Sequence, residues 1–176
     1  MTRRVTTSLR TTAATTRVTE HRRLEAGWRA TALAIPLAAM LALGIATAAQ
    51  GSNASLRASL NVWSTKLGAD ARVVDLAARQ RHPGRMTNAA LAFRRDGLRA
   101  LAVIRSQKTS TSRAARAKRL AVAAYTDYAA AGTRWAQSGR ARLAHHDTAA
   151  SAYARRAAAF AQAGNRLLIA AGKLLR

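Results

Sequence analysis

The stretch DTAASAYARRAAAFAQAGNRLLIAAGKLLR, Asp147 to Arg176, decides the fold class. Ala150, Tyr153, Ala157, Phe160, Gly164, Leu167, Ala171 and Leu174 alternate spacings of three and four, the period of an apolar seam on one side of an α-helix. A helix with one apolar stripe hides it only against other elements. Asp147 stands where an N-cap belongs, with Arg140 marking an earlier alternative start.

Working upstream, three more stripes of the same kind appear. Ala117, Leu120, Ala124, Tyr128, Ala131 and Trp135 predict a helix over about 113–138, with Ser138-Gly139 as its C-terminal cap. Met86, Ala90, Phe93, Gly97, Leu101 and Ile104 predict one over 85–106, with Leu91, Leu98 and Val103 widening its face. The polar run SQKTSTS, 106–112, connects these two and offers several N-caps. Leu56, Leu60, Trp63, Leu67, Ala71, Val74 and Ala78 predict a further helix, started after a break at Gly51-Ser52-Asn53 and ended by His82-Pro83-Gly84. Residues 54–176 hold no alternating β-branched stretch. The expectation is all-α: an antiparallel up-down four-helix bundle over residues 50–176.

Apolar residues make up 49% of the 176 residues, yet aromatics are only 5% and Ala dominates, so the core must be thin. Trp63, Phe93, Tyr128, Trp135, Tyr153 and Phe160 are expected to supply most of the burial, ~1.5 to 3 kcal/mol each. Gly97, Ala124, Ala157 and Gly164 are expected to let helices approach closely. The length suits one domain and an N-terminal segment.

That segment reads as an address. Residues 1–29 carry Arg3, Arg4, Arg10, Arg17, Arg22, Arg23 and Arg29 against Glu20 and Glu25 and are expected to be a disordered cytoplasmic leader. From Ala30 to Ala49 no charge occurs, and twenty helical residues span ~30 Å, the hydrocarbon thickness of a bilayer. Within this run Leu33, Leu41 and Ile45 supply apolar bulk and Pro36 interrupts. Trp28 sits at the interfacial position and the basic flank places the N-terminus inside, the bundle outside. Ala46-Thr47-Ala48 has the small-x-small spacing of a cleavage site, so 30–49 reads as a transmembrane anchor or as a signal helix cut near residue 48. The length of the leader favours the anchor. A buried hairpin helix is the competing reading, and the absence of a polar face speaks against it.

A net charge of +23 draws the chain to polyanions. Arg94, Arg95, Arg99, Arg116, Lys118 and Arg119 are the candidate contacts for anionic lipid or cell-wall polymer, against the plainer reading of a solvated face. Past residue 50 the carboxylates are Asp70, Asp75, Asp96, Asp127 and Asp147, and no spacing joins two of them for acid-base work; Asp75 is expected to pair with Arg72 or Arg79. His145 and His146 are adjacent rather than four apart, so with Asp147 they suit a polar helix start better than a zinc site. With no cysteine and no phosphate, dinucleotide or nucleophile-elbow motif, no enzyme and no cofactor are expected. The sequence therefore points to a non-enzymatic cell-envelope bundle of interaction or sensor-like type, meeting membrane or protein partners through its helix faces. The alternative is a basic nucleoid-type nucleic-acid binder, which the uncharged span argues against.

Overall fold

The structure, a computed structural model, describes residues 51–176. The leader 1–29, the apolar segment with Ala30, Leu33, Pro36, Leu41, Ile45 and Ala49, and the Ala46 and Ala48 cleavage positions lie outside the described residues. Four helices account for nearly all the rest: α1 (Gly51–Arg79), α2 (Pro83–Ser106), α3 (Ser112–Leu143) and α4 (Asp147–Leu174), with no strand among the described residues. No helix among them is long and apolar enough to cross a membrane.

Local chemistry explains most boundaries. Pro83 opens α2 at its first turn, where a missing N–H costs nothing. Thr111 caps α3, its hydroxyl accepting from the Ala114 amide at 3.1 Å. The α1–α2 and α3–α4 turns pass through left-handed residues, Arg81 at φ 55° and His145 at φ 57°.

One expected helix end is absent. Gly51-Ser52-Asn53 forms the first residues of α1, and the residues before it lie outside those described. Ser138-Gly139 lies inside α3, which runs on to Leu143. Packing holds it there: the Ser138 hydroxyl donates to the Ala150 carbonyl at 2.8 Å, and Gly139 is pressed against Thr87 and Pro83 of α2. Asp147 begins α4, but His146 is the residue at the cap and its side chain makes no capping bond.

Contacts between neighbours fix the register. Ser55 donates to Gln107 and Lys66 meets Asp96, so α1 and α2 run antiparallel. Gly97 faces Ala129, Arg94 faces Gly132 and Thr87 faces Gly139, which makes α2 and α3 antiparallel too. Ser138 at Ala150, Gly164 at Ala124 and Arg113 at Lys173 do the same for α3 and α4. The bundle is centred on α3, which packs along both α2 and α4, while α1 rests mainly on α2.

The core is thin, as its composition demands. Leu56, Leu67, Phe93, Ile104, Tyr125 and Tyr128 are its large, fully enclosed side chains, among many buried alanines. Phe93 meets Tyr128 and Trp135 edge to face at 6.0 and 5.3 Å between centroids.

The seam of α4 is turned from the expected one. Ala150, Ala157, Gly164 and Ala171 are buried as predicted, but their seam partners are Ala154, Ala161, Leu168 and Leu175. Tyr153, Phe160, Leu167 and Leu174 lie half-buried at the flank. The reason is approach distance. Gly164 comes so near α3 that an added Cβ would stand 2.9 Å from the Ala124 carbonyl oxygen, and bulky rings in the seam would hold the helices apart. On α2, Leu91 and Leu98 are 37% and 42% exposed rather than part of the core, because that side of the helix has no neighbour.

Candidate functional site

Lys66 and Asp70 share one side of α1 at helical spacing, and Asp96 comes from α2 at the same level. Lys66 Nζ lies 2.9 Å from Asp96 Oδ2 and 3.8 Å from Asp70 Oδ2. Arg99 and Arg95 approach the other oxygen of Asp96 at 3.4 and 3.9 Å. Asp96 is 3% exposed, a buried carboxylate.

The two carboxyls are driven apart in acidity. Burial raises Asp70, an effect that nearby Asp96 reinforces and Lys66 opposes. Burial also pushes Asp96 up, but the Lys66 hydrogen bond and charge, with help from Asp70 and Arg95, outweigh it and hold Asp96 below the ordinary range. Lys66 is raised by its bond to Asp96. Asp70 Oδ2 is buried without a hydrogen-bond partner. The cluster is a polar pin across the α1–α2 seam, a charge pair that sequence spacing alone does not show, because twenty-six positions separate Asp70 from Asp96.

The expected polyanion contacts divide into two groups. Arg94, Arg95 and Arg99 lie mid-helix on α2, exposed, with Arg95 and Arg99 turned to Asp96. Arg116, Lys118 and Arg119 lie in the first turns of α3, where Lys118 donates to the Gln107 carbonyl. By the α2–α3 register Arg99 is level with about residue 127, on the order of 12 Å along the axis from Arg119. They do not form one patch.

A larger asymmetry emerges when the register is followed to the end of the bundle that holds the start of α1. Within about 12 Å of one another along the axis there stand Arg57 of α1, Arg105 in the last turn of α2, Lys108 just after it, and Arg113, Arg116, Lys118 and Arg119 of α3. Lys173 and Arg176 close the same end from α4. No Asp or Glu side chain of the described residues lies at this level. The first carboxylate met along the axis is Asp127, on the order of 20 Å from Gly51. All five Asp residues of the bundle therefore sit in its middle or its far end.

At the acid-free end a groove separates α1 from α4. Arg57, Leu60, Asn61 and Ser64 form one wall, and Leu168, Gly172, Leu175 and Arg176 the other. It is shallow and open to solvent, with a mainly apolar lining. The groove exists because α4 is packed on α3 and α1 on α2, so the two outer helices do not close on each other.

At the far end His145 and His146 are exposed on the α3–α4 turn and Asp147 pairs with Arg142 at 3.4 Å. Asp75 pairs with Arg79 at 2.8 Å, one of its two expected partners. No group of three or more His, Cys, Asp or Glu side chains among the described residues is placed to hold a metal. Comparison with protein-family models, curated proteins and solved structures finds no match for this chain.

Proposed function

We propose that this chain is a non-catalytic helical bundle of a bacterial-type cell envelope, with residues 1–29 inside, 30–49 crossing or targeted to the membrane, and 50–176 outside it. Its role is contact with anionic lipid or cell-wall polymer, or with protein partners through helix faces. One observation carries this reading: an uncharged run of twenty residues, Ala30 to Ala49, leads directly into helix α1 of a basic bundle. The bundle supports it in a second way. Its one pairing of carboxylates across a helix seam is consumed by Lys66, Arg95 and Arg99, which leaves Asp70 and Asp96 suited to holding helices rather than to acid-base work on a substrate.

The net charge of +23 favours a second reading, a nucleic-acid binder of nucleoid type. Fractionation separates the two. Recovery in the membrane fraction or the culture supernatant is expected; a soluble fraction eluted from nucleoids by salt overturns it. Mass spectrometry of the N-terminus then distinguishes an intact leader from a chain starting near Ala49 or Gln50.

A further inference from the structure

The groups most able to bind something are gathered where the chain would meet the lipid. The α1–α2, α2–α3 and α3–α4 registers put Arg176 level with Gly51 at the start of α1. If Ala30 to Ala49 lies in the bilayer, that end of the bundle stands at its surface and the carboxylates stand away from it. We propose that this acid-free end docks on anionic phospholipid head groups of the same membrane, with the α1–α4 groove seating one of them between Arg57 and Arg176. The proposal rests on the tether reading given above.

Three observations support it. Arg105, Lys108, Arg113, Arg116, Arg119 and Lys173 are exposed at this end, so their charges are available to a surface. The nearest side-chain acid, Asp127, lies along the axis on the order of 9 Å from the level of Arg105 and about 12 Å from Arg119, and farther from Lys108, Arg113, Arg116 and Lys173, so its charge reaches only the inner edge of the patch at physiological salt. The groove offers an arginine on each wall and leucines between them, matching a phosphate joined to methylene chains. Tethering adds to each contact, because residues a few positions from a membrane segment meet that surface at high effective concentration.

The absence of native cysteine permits a direct test on the full chain. Ser110→Cys labels the near end and His145→Cys the far end, both at exposed positions. Each labelled protein is reconstituted into vesicles of phosphatidylcholine, alone or with about one third phosphatidylglycerol, carrying a head-group energy acceptor. The Ser110→Cys label should show at least about twofold more transfer with phosphatidylglycerol, lost at about 0.5 M salt, while the His145→Cys label stays unchanged. Arg57→Gln with Arg176→Gln should weaken docking by about fivefold per charge, with helical circular dichroism unaltered. Near-end transfer that ignores phosphatidylglycerol, salt and the paired substitution overturns the proposal, and dependence on an added wall polymer instead of lipid does the same. Carbonate extraction of the same vesicles reads the tether separately. Retention without lipid-dependent transfer overturns docking alone; release of the protein overturns the tether and docking with it.

Discussion

Gly132 of α3 and Arg94 of α2 meet backbone to backbone. A methyl group on Gly132 would lie 2.8 Å from the Arg94 Cβ and 2.9 Å from its Cα and amide nitrogen. Nothing flexible stands in the way that could yield, so the absence of a side chain at position 132 sets how near the two helices come. Gly164 does the same for α3 and α4 at the Ala124 carbonyl. A core this poor in large residues gains its contacts by drawing helix axes together.

Gly132→Ala is therefore expected to lower stability by ~1 to 3 kcal/mol, the usual cost of overpacking. Gly84→Ala is the matched control, since nothing lies within 4 Å of a Cβ there and alanine favours helix. Urea midpoints followed by circular dichroism should fall for the first and hold or rise for the second. Equal midpoints would contradict the close packing.

The hydroxyl of Tyr128 is buried without a hydrogen-bond partner, and burial raises its pKa well above the ordinary value. Tyr128→Phe keeps the ring contacts with Phe93 and Tyr125 and removes the stranded group. A gain of ~1 kcal/mol is expected, read as a higher melting temperature. Tyr125, whose hydroxyl reaches the Leu60 carbonyl at 3.5 Å, should gain less from the same change.

The Asp70 and Asp96 pair should leave an imprint on stability against pH. Asp70 is raised in the fold, so its protonated form is the favoured one: its contribution is full in acid and is lost as pH rises through the raised value. Asp96 is lowered, so its contribution is present above the ordinary carboxylate range and is lost as pH falls through the lowered value. At neutral pH Asp96→Asn should cost ~1 to 2 kcal/mol, a loss that shrinks in acid. Asp70→Asn should be neutral or stabilising at neutral pH and lose that advantage in acid. Denaturation midpoints from about pH 3 to 7 check both, and parallel profiles for the two variants would refute the opposed shifts.

Ser138 ties α3 to the first turn of α4 through a buried bond to Ala150. Ser138→Ala is expected to cost ~1 kcal/mol and to quicken amide exchange at the start of α4. Thr126→Ala, at an exposed hydroxyl bonded only within its own helix, should stay within ~0.5 kcal/mol of the parent.

Helix count and approximate placement were legible because they rest on local rules. Leu56, Leu60, Leu67 and Val74 recur at the helical period and are buried together on α1, and Met86, Ala90, Phe93 and Ile104 do the same on α2. Ser138-Gly139 misled because the pair looks like a helix end to its neighbours in sequence, while contacts with α2 and α4 hold it inside α3. Of the acid-free end only Arg116, Lys118 and Arg119, clustered at the start of α3, were legible. Arg57, Lys108, Arg113 and Arg176 are scattered along the chain and come to one level only through three successive reversals of direction.

By itself the sequence determined that residues 51–176 would be helical and where two of the three turns would come, since periodicity and punctuation act over a few residues. Tertiary structure decided which side of α4 faces α3. Alanines and glycines flank both alternatives there, so the period admits two seams one residue apart, and the choice went to the set whose small side chains let the backbones touch. It also decided that Asp70 would meet Asp96 and that the cations would collect at one end, because both depend on register between helices.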